Sequence, residues 1–165
     1  MKKYEFTGET KEIRLLFRTA TLHRIRATVA FGIVEVGDLG GWIEKEENLS
    51  HEGKAWVCGD AKVWGNAEVC GDAEVWGNAE VFSASHVLVI GAIGSRNDFT
   101  TFYRDKDNEI TVKCGCFLGK IDRFLEKVTQ THGDSKYALV YRAAVEVAKL
   151  QIDLSGEAPK DADEE

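Results

Sequence analysis

A six-residue period between residues 55 and 90 constrains the fold more than any other feature of this sequence. The segment reads AWVCGD AKVWGN AEVCGD AEVWGN AEVFSA SHVLVI. Valine recurs at every sixth position, alanine stands two residues before most of these valines, and Gly-Asp or Gly-Asn follows four of them. A short fixed period of this kind is typical of solenoid proteins.

Each repeat unit predicts a short strand followed by a tight turn. Residues two apart on a strand share a face, so the alanine and the valine of one unit should point to the same side. The glycine allows the positive φ that a tight corner needs, and the Asp or Asn after it favours a turn. A meander of antiparallel hairpins is the competing interpretation of the same pattern.

The unit Val57–Lys62 has an aliphatic residue, any residue, a turn pair, a small residue and any residue. This pattern resembles the left-handed parallel β-helix, or hexapeptide-repeat, superfamily, in which three units form one triangular coil. The resemblance implies about three left-handed coils over residues 39–94. Since the superfamily is typically trimeric, it also implies a homo-oligomer, most simply a homotrimer.

Large apolar residues follow most of the valines and should point outward. An 18-residue stacking offset sets Trp64 below Phe82, and continuous exposed apolar surface implies a partner. We expect cover by the C-terminal helices of the chain or by identical subunits, with a ligand stacked on a tryptophan as the alternative. The expected interface residues are Trp56, Trp64, Trp76, Phe82 and Leu88.

Further stretches resemble a group of bacterial and phage proteins in which a similar entry precedes hexapeptide repeats. They are LHRIRA, GDLGGWIEKEENLS, IGSRNDFTTFYR and CGCFLGKIDRF. The predicted architecture is mostly β. It consists of an N-terminal β cap (1–38), a short left-handed parallel β-helix (39–94), a C-terminal β-hairpin with two α-helices (95–153) and a disordered acidic tail (154–165).

The C-terminal elements are predicted from their own patterns. Phe99–Arg104 and Glu109–Cys116 favour a hairpin around a polar turn. Apolar residues at helical spacing predict helices over Ile121–Thr131 and Lys136–Ile152, with Gly133 suited to end the first of them.

Composition sets the expected compartment and limits the partners. The chain has no signal-like apolar segment and no apolar stretch long enough to span a membrane, so we expect a cytoplasmic protein, in the host cytoplasm if it is phage-encoded. Its four cysteines should then be reduced thiols. Residues 2–26 carry seven Lys and Arg against three Glu, whereas Ser155–Glu165 carries five acidic residues against one lysine. This distribution favours an anionic small molecule over nucleic acid.

Two clusters have residue types used in catalysis or metal binding. Cys114 and Cys116 with His132 provide too few ligands for a structural zinc site, so we expect no metal and leave the role of the two cysteines open. The segment Thr131–Ser135 contains the residue types of a hydrolase triad, but members of a triad converge from separated positions, and helix capping is the better interpretation.

His86 is the alternative catalytic candidate. Acyltransferases of the hexapeptide-repeat superfamily use a histidine base at a subunit junction. The repeat here has no long inserted loop to hold an acceptor and little length for an acyl-CoA groove. We therefore expect no catalytic residue and no cofactor, and keep acyl transfer from acyl-CoA by His86 as the alternative.

The segment after the repeat is the best candidate for ligand contact. Arg96 and Asn97 provide a guanidinium and an amide that suit an anion. The sequence contains neither GxxxxGK[ST] nor GxGxxG, so no nucleotide motif supports this choice. The expected ligand-binding residues are Arg96, Asn97, Thr100, Tyr103, Arg24 and Arg26.

The sequence thus favours a non-catalytic oligomeric binding protein. The resemblance to phage proteins suggests an inhibitor of host defence that sequesters an anionic nucleotide-type signal or a host protein. An acyltransferase and a purely structural oligomeric scaffold are the alternatives.

Overall fold

The computed structural model describes residues 1–155 and 160–161. Its strands are β1 (Tyr4–Arg14), β2 (Thr19–Ala27), β3 (Leu39–Ile43), β4 (Trp56–Val57), β5 (Lys62–Val63), β6 (Glu74–Val75), β7 (Glu80–Val81), β8 (Val87–Ile93), β9 (Asp98–Arg104), β10 (Ile110–Cys114), β11 (Phe117–Lys120) and β12 (Lys160–Asp161). The helices are α1 (Ile121–His132) and α2 (Lys136–Gln151). Short 3₁₀ turns occupy Glu46–Asn48 and Ala84–His86.

The strands form three sheets. A mixed sheet has the order β12-β1-β2-β3-β5-β7, an antiparallel sheet has the order β11-β10-β9-β8, and β4 pairs with β6 alone. In the mixed sheet, the β1–β2 hairpin continues antiparallel into β3, and β3 then pairs in parallel with β5. The strand β3 therefore joins the N-terminal hairpin to the repeat segment.

The repeat segment consists of two-residue strands joined by glycine turns. Pairs such as Val57 with Val75 and Val63 with Val81 are parallel and 18 residues apart. The turn glycines have positive φ, and the repeat valines and alanines are buried in one core. Because these pairs are parallel, the repeat does not form the competing meander of hairpins.

The predicted fold class, a mostly β protein built on a short left-handed parallel β-helix of about three coils, is wrong. The sheets of the structure are mixed and mostly antiparallel, and parallel pairing is limited to short stretches of the repeat and the end of β3. Residues assigned to the last coil form β8, which pairs antiparallel with β9 through Leu88 and Phe102. The six-residue period specifies each local turn, whereas the pairing of the longer strands depends on distant segments.

The C-terminal part of the described chain is a sheet covered by two helices. The predicted hairpin is present as β9 and β10, and the two predicted helices are confirmed as α1 and α2. Phe102 of β9 packs with Phe124 of α1 and Tyr141 of α2 in a second core. Within the tail predicted to be disordered, residues 156–159 and 162–165 lie outside the described residues.

Candidate functional site

A cleft of about 640 Å³ lies where two turns of the antiparallel sheet meet the helices. The β8–β9 turn contributes Arg96, and the β10–β11 turn contributes Cys114, Gly115 and Cys116. The opposite wall comes from α1 and the buried side of α2. A concave site of this volume is typical of small-molecule pockets.

Each of the two turns that form the cleft contains a glycine that no other residue could replace without strain. Gly94 has φ +76°, and a Cβ there would overlap the hydroxyl of Tyr141, so this turn can lie directly on α2 only with glycine. Gly115 has φ +57°, and a Cβ there would lie 3.0 Å from Nη1 of Arg96. A side chain at either position would be strained and would disturb the arrangement of the cleft.

Tyr141 and Cys114 form the floor of the cleft. Burial raises the pKa of Tyr141, and the neighbouring Cys114 thiol acts in the same direction, so the phenol stays protonated. Thr100 donates its hydroxyl to Sγ of Cys114 at 3.3 Å. The ring of His132 lies 5.6 Å from the Tyr141 ring at an interplanar angle of 27°. These contacts give the cleft an aromatic base with a hydroxyl and a thiol beside it.

The walls of the cleft carry more positive than negative charge. Arg96 stands on the sheet side, and Arg123 and Lys127 lie one turn apart on the facing side of α1. None of the three makes an ion pair with a carboxylate in the described part of the chain. Asp98 and Glu126 are the acidic side chains of the same lining. The arrangement suits an anionic ligand with a flat apolar part.

Of the predicted ligand residues, the structure brings Arg96 into this cleft. Asn97 is exposed at φ +48° in the turn next to Arg96. Thr100 and Tyr103 are fully buried, Thr100 against Cys114 and Tyr103 with its hydroxyl donated to the carbonyl of Trp76 at 2.9 Å. Thr100 thus contacts the cleft through its hydrogen bond to Cys114, and Tyr103 packs in the core of the repeat.

The two other predicted ligand residues lie in a different sheet. Arg24 and Arg26 are on β2, where Arg24 is 3.8 Å from Glu9 and Arg26 donates from Nε to Glu5 at 3.1 Å. The guanidinium of Arg24 also lies 5.5 Å from the Trp42 ring. The structure does not bring these residues together with Arg96.

His86 is buried and only 3% exposed. Its Nδ1 accepts a hydrogen bond from the backbone N–H of Phe82 at 3.1 Å, and its ring packs edge-on against the Phe82 ring. Burial, followed by the charge of Arg104, lowers the pKa of His86 to about 4. A neutral, enclosed imidazole of this kind has a structural role in the chain.

Most of the expected interface residues are covered by the chain itself. Trp64 is 2% exposed and stacks on Phe82 at 4.8 Å, beneath Ile13 and Leu22 of the β1–β2 hairpin. Trp56 is buried against Phe31 and Tyr4. Leu88 packs against the helices, and Trp76 is half-buried beside the amine of Lys113. The apolar repeat surface is therefore largely enclosed within one chain.

Sequence reasoning missed Arg123, Lys127 and Tyr141 as cleft residues. Arg123 and Lys127 have the four-residue spacing that places two side chains on one helix face. That spacing shows that the two side chains share one face of α1, but it does not show which part of the protein this face lies against. Tyr141 belongs to the predicted apolar stripe of α2, and its contact with Gly94 depends on a turn 47 residues earlier.

Across residues 1–155 and 160–161, no three or more His, Cys, Asp or Glu side chains are grouped so that they could hold a metal ion. Within the same residues, no helix has the length and apolar character needed to cross a membrane.

In the comparisons with known proteins, no protein-family model and no curated protein matched the chain.

Proposed function

We propose that this protein is a non-catalytic binding protein that captures a small anionic, nucleotide-type ligand in the cleft between the antiparallel sheet and α1. One observation supports this proposal. Arg96, Arg123 and Lys127 line the same cleft, whose floor is aromatic. None of these three cations has an ion-pair partner among the described residues.

The charge of the cleft favours phosphate or a comparable anion. Arginine can bind a phosphate through two parallel hydrogen bonds, and charge-assisted hydrogen bonds are about twice as strong as neutral ones. Since Asp98 and Glu126 share the lining, one bound anion would bring the local charge close to balance. Because Tyr141 is only 7% exposed and already stacks with His132, a flat ring of the ligand would pack on the half-buried rings of Phe117 and His132, which also line the cleft.

The sequence resemblance supports a more specific version of the proposal. In this version a phage-encoded protein acts in the host cytoplasm and inhibits a defence system by sequestering its nucleotide signal. Sequestration needs affinity and a protected site but no catalytic group. Capture of a host protein is the alternative form of the same role.

Assembly with identical subunits, as a homotrimer, is part of the proposal and is supported by α2. Leu139, Val147 and Leu150 lie along one side of this helix and are all exposed. Exposed apolar side chains on one face of a helix favour an interface with another subunit. A mass measurement in solution tests the assembly, and Leu150→Glu should shift the mass towards the monomer. A monomeric wild-type protein at micromolar concentration would contradict it.

Calorimetry with a panel of linear and cyclic nucleotides tests the ligand. We expect at least one member to bind, and Arg96→Ala to weaken that binding about 10- to 100-fold, because a hydrogen bond to a charged group contributes roughly 1.5–3 kcal/mol. Arg26→Ala is the matched control, since it removes an arginine that is ion-paired in the other sheet. Absence of binding by every member, or equal affinities of the two variants, would overturn the proposal.

A further inference from the structure

The β10–β11 turn brings two thiols into the cleft. Cys114 and Cys116 flank Gly115, and both line the cleft. Cys116 is exposed, whereas Cys114 is half-buried and accepts a hydrogen bond from Thr100. The two cysteines are separated by one glycine in a tight turn, and a disulfide spans roughly 4.4–6.8 Å between Cα atoms. One thiol is therefore exposed to solvent, and the second is a half-buried neighbour in the same turn.

Basic side chains surround this turn. Nη1 of Arg96 lies beside the Cα of Gly115, and the amine of Lys113 donates a hydrogen bond to the Gly115 carbonyl. Arg123 and Lys127 face the turn across the cleft. A positively charged cleft raises the local concentration of anionic reactants and their rate of encounter.

The other two cysteines provide a contrast within the same chain. Cys70 is also exposed, but it belongs to the repeat, where the acidic residues Glu68 and Asp72 stand two positions before and after it. Cys58 is half-buried, and burial raises the pKa of its thiol. Cys116 and Cys70 are therefore both exposed, but Cys116 has basic side chains around it and Cys70 has acidic ones nearby.

We infer that Cys116 is a site of thiol–disulfide exchange with anionic low-molecular-weight disulfides, and that Cys114 resolves the resulting mixed disulfide. The thiolate of Cys116 attacks one sulfur of the disulfide, so that a new S–S bond forms and one low-molecular-weight thiolate leaves. Cys114 then attacks Sγ of Cys116, forms the Cys114–Cys116 disulfide and releases the second thiolate. The two protein thiols are oxidised by two electrons, the disulfide is reduced to two thiols, and these take up the two protons.

The test uses the reduced full-length protein and oxidised glutathione as the anionic disulfide. After brief exposure the remaining thiols are blocked, and peptide mass spectrometry gives the rate at each cysteine. At low salt we expect Cys116 to react at least about tenfold faster than Cys70, because electrostatic attraction raises encounter rates by 10–10³. The ratio should shrink near 1 M salt, where charges are screened within roughly 3 Å. The ratio of the Cys116 rate to the Cys70 rate should also be smaller when the uncharged hydroxyethyl disulfide replaces oxidised glutathione.

Two variants separate the steps of the exchange. Cys114→Ser should accumulate the glutathione adduct on Cys116, whereas the wild type should proceed to an internal disulfide that lacks two hydrogens. Cys116→Ser should abolish both products at this turn. Equal rates at Cys116 and Cys70, or a ratio unchanged by salt, would overturn the inference, and so would a Cys114→Ser protein without the adduct. The comparison of Cys116 with Cys70 is made in the wild type and without nucleotide, so its result is independent of folding defects and of the proposed nucleotide ligand.

Discussion

The N-terminal hairpin and the C-terminal cleft differ in what lies next to their basic side chains. Arg18, Arg24 and Arg26 each lie within ion-pair distance of a glutamate of the same half of the molecule. The cleft cations Arg123 and Lys127 face an open space and have no such partner among the described residues. These arginines of the hairpin are therefore neutralised by nearby glutamates, whereas the cations of the cleft are available to bind an anionic ligand.

Both regions leave some large apolar residues exposed, among them Leu16 and Phe17 at the tip of the hairpin. The hairpin encloses Trp64 and Trp42 together with Leu22 in a small core of its own. In the second region, α2 leaves Leu139 and Leu150 exposed on its outer side. The difference in charge pairing therefore indicates that cations available to a ligand concentrate in the C-terminal part, whereas the hairpin mainly covers the repeat. Four substitutions test this division, from the largest expected effect to the smallest.

Trp64→Ala should cause the largest loss of stability. It removes a buried aromatic side chain from beneath the hairpin, and such a truncation costs about 3–5 kcal/mol. Phe17→Ala is the matched control, because Phe17 is an exposed aromatic residue at the tip of the same hairpin and should change stability by less than about 0.5 kcal/mol. Chemical denaturation gives both values. Similar losses for the two variants would contradict a closed hairpin core.

His86 should make the junction between the two regions sensitive to acid. Because the pKa of His86 is lowered to about 4 in the folded protein, the unfolded chain takes up a proton near pH 6.5 while the folded chain does not. The free energy of unfolding should fall by roughly 3 kcal/mol from this group as the pH drops from about 6.5 to 4.

His86→Asn keeps a hydrogen-bond acceptor for the Phe82 N–H but does not titrate in this range. Denaturation of both proteins at pH 7 and pH 4 should therefore show the stability of the variant rising relative to wild type by about that amount towards acid. Parallel pH profiles of the two proteins would show that His86 does not remain neutral in the fold.

Lys127→Ala and Arg26→Ala should have small effects of opposite sign. Arg123 and Lys127 are like charges four residues apart on α1, so removing one should stabilise the protein by about 0.2–0.5 kcal/mol. Removal of Arg26 breaks an exposed ion pair with Glu5 and should destabilise by about 0.2–1 kcal/mol. Thermal unfolding at low salt measures both, and destabilisation by Lys127→Ala would show that the cleft cation has a structural partner.

The parts of the fold that sequence predicts correctly are those set by nearby residues. The helices follow from apolar spacing, and the buried valines and turn glycines of the repeat follow from the six-residue unit. The wrong fold class arose from pairings between distant segments, above all β2 with β3 and β8 with β9. Nothing in the period of the repeat indicates that the hairpin lies antiparallel beside β3, which in turn pairs in parallel with β5.

The candidate site was predictable in part for the same reason. A turn that follows a strand at the end of the repeat favoured Arg96, and the structure places it in the cleft. Thr100 and Tyr103 were expected beside it, but β9 lies inside its sheet between β8 and β10, so both side chains are buried. Arg123 and Lys127 reach the same space only because α1 folds back over the sheet.

The cover that β1 and β2 provide for Trp64 has a consequence for synthesis. Leu22 precedes Trp64 by 42 positions in the chain, so at about 5–20 residues per second the hairpin waits several seconds for its partner to be translated. During that interval the apolar face of the hairpin that later covers Trp64 is exposed to water. The small core of the hairpin can therefore close only after the repeat has been synthesised.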